Sequence, residues 1–151
     1  MKLINHLSID LEKASKKVIN NLIQAQQDTA KDIWNEVVST AQMKTGEFIS
    51  SIEIDPTKVE NNTISTMIGS DLTVTSLEGK SYNLGQILET GTMPHKIVAI
   101  NSRVLTDGEN FFGKEVNHPG TRAYNFYRNA LNNNKTNYKN RIKQAVKEGM
   151  K

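Results

Sequence analysis

Apolar residues recur every three or four positions along the first quarter of the chain: Leu7, Leu11, Ala14, Val18, Leu22, Ala25, Thr29, Ile33, Val37 and Ala41. That period is one face of an α-helix, and no Pro or Gly interrupts it. The spacing predicts a long helix over about 8–42, with Asp10 and Glu12 near its positive dipole end. At about 1.5 Å per residue such a helix would run on the order of 50 Å. Part of it is therefore expected to pack on something else, in a coiled-coil-like partner contact. A break near Gln24–Gln27, making two helices, is the alternative.

The whole chain has 151 residues, which predicts one domain over 1–151. Aromatics are only 6% of it and the mean hydropathy is −0.53. Such a lean apolar content points to surface finished by partners, or to a flexible tail. There are no cysteines, so disulfides, thiol catalysis and cysteine-based zinc sites are excluded. Apolar runs fall far short of the roughly 20 residues that span a membrane. Met1–His6 lacks the apolar core of a signal peptide. These features predict a soluble protein made in a cytoplasm.

After Thr45-Gly46 the pattern turns toward strands. Phe48–Pro56 and Thr63–Gly69 are expected to pair antiparallel, with Glu60-Asn61-Asn62 as the turn. Leu72–Leu77 reads as an extension or loop and Glu78–Lys80 as a turn. Asn83–Leu88 reads as a short helix stopped by Gly91. Lys96–Ile100 is expected to turn at Asn101-Ser102 and return over Arg103–Thr106. Asp107-Gly108 is a strong turn signal, and Phe111–Val116 a further strand. Thr121 is the expected N-cap of a helix over about 122–147, with Asn132–Asn134 marking a bend. The expectation is an α+β fold: a long N-terminal helix, a small antiparallel sheet with a short helix over about 47–117, and a C-terminal helix.

Charge is unevenly spread. From Arg122 onward eight basic residues face one acid, Glu148, a net of +7; the rest, with eleven basic and fifteen acidic residues, carries −4. Lys135, Lys139, Arg141, Lys143 and Lys147 form a possible interface on the last helix. Its counterpart is nucleic acid, an acidic protein, or the acidic body of a second copy; a solvated helix face is the plainer use.

No catalytic constellation accompanies these features. His6, His95 and His118 are scattered and lack metal-ligand spacing, even with Asp107 or Glu109. Gly79-Lys80-Ser81 resembles the end of a P-loop, but position 74 is Val where that motif needs Gly. Nothing picks out a pair among Glu47, Glu53 and Asp55. The basic helix carries Tyr124, Phe126, Tyr127 and Tyr138, a pattern a nucleic-acid surface could use; their helical spacing favours the core. His118-Pro119-Gly120 reads as a rigid corner with His118 donating a structural hydrogen bond, and Glu89–Thr92 as a capped helix end. No catalytic, cofactor-binding or metal residue is expected.

Several segments in order resemble the neck, head–tail joining, tail-completion or minor tail proteins of long-tailed bacteriophages and prophages. They are the amphipathic first helix, Ala41-Gln42-Met43-Lys44-Thr45-Gly46-Glu47-Phe48-Ile49-Ser50-Ser51-Ile52, Leu88-Glu89-Thr90-Gly91-Thr92, Pro94-His95-Lys96-Ile97, and Val116-Asn117-His118-Pro119-Gly120-Thr121-Arg122-Ala123 with Phe126 and Ala130. Gln42 stands where the family often has proline, and an extra stretch follows Tyr82-Asn83 where it often has Tyr-Ala. The resemblance implies an α+β fold, ring assembly at the head–tail junction and no catalysis. It makes Thr45, Gly46, Ser51, Ile52, Glu89, Gly91, Thr92, His118, Pro119, Gly120, Phe126 and Ala130 fold and assembly residues. The implied partners are copies of the chain in a six- or twelve-fold environment and the head-closure and tail-terminator proteins. DNA would pass only through the lumen, and no membrane is involved. The implied location is the virion neck or tail, and the host cytoplasm during assembly.

Overall fold

The structure, a computed structural model, describes residues 1–8, 15–41, 46–76, 79–100 and 103–151. In chain order its elements are β1 (Lys2–Ser8), α1 (Lys16–Thr40), α2 (Gly46–Ser50), β2 (Glu53–Ile54), β3 (Lys58–Glu60), β4 (Thr63–Gly69), β5 (Thr73–Thr75) and β6 (Ser81–Asn83). Then follow α3 (Leu84–Thr90), β7 (His95–Val98), β8 (Leu105–Thr106), β9 (Phe111–Gly113), β10 (Glu115–His118) and α4 (Phe126–Gly149). The fold is mixed α+β, with two long helices packed on each other and small antiparallel sheets beside them.

The first helix starts later than its apolar period suggests. Residues 2–8 are a strand, paired antiparallel with β4 from Lys2↔Gly69 to Ser8↔Thr63. The N-cap is Ser15, whose side chain accepts from Val18 N. Leu7 therefore belongs to β1, while Leu11, Ala14, Asp10 and Glu12 lie outside the described residues. From Val18 onward the stripe is real: Val18, Leu22, Ala25, Thr29, Ile33, Val37 and Ala41 are all buried. There is no break at Gln24–Gln27; the buried Gln26 accepts a hydrogen bond from Tyr138 Oη at 2.7 Å.

Helix α1 packs on both β4 and α4. β4 alternates, with Ile64, Thr66 and Ile68 buried, as one face of a half-buried strand requires. Val18, Leu22, Ala25, Ile64 and Ala145 form one core cluster. A larger one joins Ile33, Val37, Phe48, Ile52, Ile68, Leu88, Phe126 and Tyr127. On the helix pair's surface, Arg141 bonds Asp32 at 2.6 Å and Thr29 Oγ1 at 3.2 Å.

Other expectations shift locally. Phe48–Pro56 is not one strand: residues 46–50 are a helical turn, and only Glu53–Ile54 pairs with β4. Ser50 and Ser51 hydroxyls bond the carbonyls of Glu47 and Phe48, a local competitor of strand pairing. Leu105–Thr106 pairs with β9, not β7; β7 pairs with β10. The expected turn at Asn101-Ser102 lies outside the described residues. Asp107-Gly108 does turn, with Asp107 Oδ1 accepting from Glu109 N and Asn110 N. Phe111–Val116 splits into β9 and β10 at Lys114, directly after Gly113, whose φ of 80° turns the chain at the end of β9. Helix α4 runs without interruption through Asn132–Asn134; the Asn133 and Asn134 side chains reach Glu36 on α1.

Phe48 is 1% exposed and meets the Phe126 ring at 5.7 Å between centroids. It ties α2 to the start of α4. Phe48→Ala is expected to cost about 3–5 kcal/mol of stability, the usual range for emptying a buried aromatic site. Denaturant unfolding with the slope held constant measures it.

Candidate functional site

Helix α4 has no cap of its own. Its N-cap position is Asn125, left-handed at φ 54° and ψ 29°, with no side-chain cap hydrogen bond. Asn tolerates that region better than most residues. It cannot there act as an ordinary N-cap, which is extended and offers its side-chain oxygen to the next helical amides. Glu89, on α3, takes over: Oε2 accepts from Tyr127 N and Oε1 from Arg128 N, both at 3.0 Å. Glu89 is only 3% exposed. Its negative charge at the positive end of α4 is favourable, as are charge-assisted bonds to two otherwise orphaned amides.

The exchange is reciprocal. The last carbonyls of α3 need donors, and Leu88 O accepts from Tyr124 N at 3.0 Å while Glu89 O accepts from Asn125 N at 3.2 Å. This is why α4 starts at Phe126 and not at Arg122. The backbone just before Phe126 is committed to α3, and Thr121 is no N-cap. Instead Thr121 N donates to Thr92 Oγ1 at 2.9 Å, and Thr121 O accepts from Thr92 N at 3.0 Å.

Two glycines let the strands of this clasp touch. Gly91 has φ 72° and ψ −176°, a region open essentially to glycine alone. A Cβ there would sit 2.4 Å from Thr121 O and 2.8 Å from Ala123 N. Gly120, at φ 88°, would place a Cβ 2.2 Å from Thr92 O. His118 Nδ1 accepts from Gly120 N at 3.0 Å; it receives the structural hydrogen bond that the sequence suggested it would donate. Pro119 lies between them. Glu89, Gly91, Thr92, His118, Pro119 and Gly120 thus come together at one place, the base of the β7–β10 ribbon.

The other singled-out residues lie elsewhere. Thr45 is outside the described residues. Gly46 opens α2 with nothing near its would-be Cβ. Ser51 Oγ contacts Ser70 Oγ at 2.6 Å, and Ile52 O accepts from Trp34 Nε1 at 2.8 Å. Phe126 and Ala130 are buried core residues. Lys135, Lys139, Lys143 and Lys147 are exposed and, among the described residues, form no ion pair, whereas Arg141 is engaged by Asp32. Lys135 and Lys139 rim a groove of about 310 Å³ between α1 and α4, floored by Ile33, Leu131 and Tyr138.

The histidines are less scattered than their numbers suggest. His95 and His118 face each other across β7 and β10, ring centroids 5.0 Å apart. Among the described residues no three His, Cys, Asp or Glu gather as a metal site would require. Asp55 is ion-paired with Lys2 at 3.0 Å. Sequence reasoning missed Asn125 and the capping role of Glu89, because a cap supplied from another helix leaves no local signature.

Tyr127, fully buried, has the one buried side-chain polar atom without a hydrogen-bond partner among the described residues. Burial, with the Glu89 carboxylate adding to it, pushes its hydroxyl up to about 12.

Three stability outcomes follow, each read by thermal unfolding. Glu89→Ala should cost about 1–3 kcal/mol, since it strands the amides of Tyr127 and Arg128, the first of them buried. Gly91→Val and Gly120→Val should each cost at least about 1–3 kcal/mol from backbone strain. Tyr127→Phe should stay within about 1 kcal/mol of the parent, because no partner is lost. No protein-family model, no curated protein and no solved structure matches this chain.

Proposed function

We propose that this chain is a structural protein of the head–tail junction of a long-tailed bacteriophage or prophage. It assembles as a ring, in a six- or twelve-fold environment, that joins head-closure and tail-terminator components. DNA passes through the lumen as cargo. The work is geometric, with no catalytic step, cofactor or metal, and the protein resides in the virion after assembly in the host cytoplasm.

One observation carries this reading. The two stretches at the centre of the family resemblance, 88–92 and 116–126, form a single hydrogen-bonded clasp through Glu89, Thr92 and Thr121. That is what motif residues do when they hold a shape. The charge layout supports association between copies: an exposed lysine row on α4, and Glu47, Glu53 and Glu60 exposed on the body. Complementary charge of this kind sets registry and encounter rate more than affinity. Among the described residues no helix is long and apolar enough to cross a membrane.

The second reading is a nucleic-acid-binding module. It is favoured by the same row, which runs about 18 Å from Lys135 to Lys147 at about 1.5 Å per residue. Steeply salt-dependent duplex binding by the monomer would support it.

Electron microscopy of the protein with virion neck components should reveal rings. The triple variant Lys139→Glu, Lys143→Glu, Lys147→Glu should lose incorporation into particles with its melting temperature nearly unchanged, since exposed charges add little stability. Normal incorporation of that variant, with tight duplex binding by the parent monomer at physiological salt, would replace the neck reading with the nucleic-acid one.

A further inference from the structure

We propose that the groove between α1 and α4 docks an acidic segment of a neighbouring protein, which sets one apolar side chain on the groove floor and its carboxylates along the lysine row. The proposal rests on the reading of this chain as a joining protein and states what a neighbour must bring to α4.

The groove holds about 310 Å³, the lower end of the roughly 300–1,000 Å³ that ligand sites span. That is room for one or two side chains of an extended segment. Thr29 and Ile33 on α1, both fully buried, and Leu131 and Tyr138 on α4 line it. The hydroxyls among them are bonded inside the protein. Thr29 Oγ1 donates to Ala25 O at 2.8 Å and accepts from Arg141 at 3.2 Å. Tyr138 Oη donates to Gln26 Oε1 at 2.7 Å. What the floor offers an occupant is therefore apolar surface.

The rim has the opposite character. Lys135 and Lys139 stand there, exposed and, among the described residues, in no ion pair. Asp32 and Glu36 on α1 are already engaged, the first by Arg141 at 2.6 Å and the second by the amides of Asn133 and Asn134. The two ammonium charges are thus left without a counter-charge. Lys143 and Lys147 continue the row at intervals of four, the spacing of one ridge on a helix surface.

Shape and charge together select the occupant. A nucleic-acid strand would neutralise the row but leave the floor empty, since base stacking uses aromatic faces and this floor is aliphatic apart from the half-buried Tyr138. A lone small acid would fill the floor but meet only two exposed ammoniums, and exposed ion pairs contribute little each. A segment with an apolar anchor followed by several carboxylates uses both features. The floor then supplies affinity, and the row supplies encounter rate and register.

The probe is the fluorescein-labelled peptide Gly-Phe-Glu-Glu-Asp-Glu-Gly, titrated with the full chain and read by anisotropy. Saturable binding is expected. Exchanging the peptide's Phe for Ser should weaken it at least about tenfold, as loss of a buried aromatic anchor does. The chain variant Lys135→Glu, Lys139→Glu should weaken it as much, with its melting temperature unchanged because both lysines are exposed. In NMR spectra of the full chain the peptide should shift the Leu131 methyls and the Tyr138 ring. Absence of binding, binding indifferent to the Phe-to-Ser exchange, or shifts that spare Leu131 would each overturn the proposal. So would tighter binding of a single-stranded DNA of similar length, which gives the row to nucleic acid. Self-association of the chain that the double variant abolishes would give the groove to a second copy, and also overturn it. Peptide binding by a protein absent from virions would sink the neck reading alone. Particle incorporation that depends on the lysines, with no peptide binding, would sink the groove assignment alone.

Discussion

Helix α4 begins on a left-handed Asn125 that cannot cap it, and everything around that end is arranged to compensate. Glu89 brings a buried carboxylate from α3 to the amides of Tyr127 and Arg128. Burying a carboxylate is expensive unless its oxygens are bonded; here each oxygen accepts from an amide that would itself be orphaned. In return the chain entering α4 donates to the last carbonyls of α3. Two helix ends that would each need water satisfy each other. The interaction fixes α3 against α4 and, through Phe126 and Tyr127, against the core.

The clasp also separates two kinds of structure. On one side lies the packed body, where α1 is buried against β4 and α4. On the other stands the ribbon of β7 to β10, with little of its surface covered. Between them pass only two chain crossings, at Gly91–Thr92 and Gly120–Thr121, bonded through Thr92 and Thr121. Close approach of those crossings requires glycine at both sites. A ribbon held so tightly at its base has a defined direction from the body.

Much of the body was legible in the sequence. The period-3.6 stripe from Val18 to Ala41 marks the buried face of α1, and Asn83 with Gly91 brackets α3. Asp107-Gly108 marks its turn. The errors share a cause. The apolar period reads back to Leu7, yet residues 2–8 pair with β4, because a β-ladder between segments this far apart in the chain has no local signal. Thr121 has the chemistry of an N-cap, but tertiary hydrogen bonds to Thr92 use its backbone instead. Asn132–Asn134 weakens helix propensity, and side-chain bonds to Glu36 on α1 override it. The clasp itself shows in the sequence only as two turns of small and polar residues; the contact between them is a property of the fold.

Native-state hydrogen exchange at the amides of Tyr127 and Arg128 tests the central claim most directly. The opening amides of a helix lack intrahelical acceptors and ordinarily exchange quickly. If Glu89 is their acceptor, both should exchange as slowly as amides in the middle of α4, opening only with the folded core. Exchange at the rate of a frayed helix end, while the middle of α4 stays protected, would contradict the account.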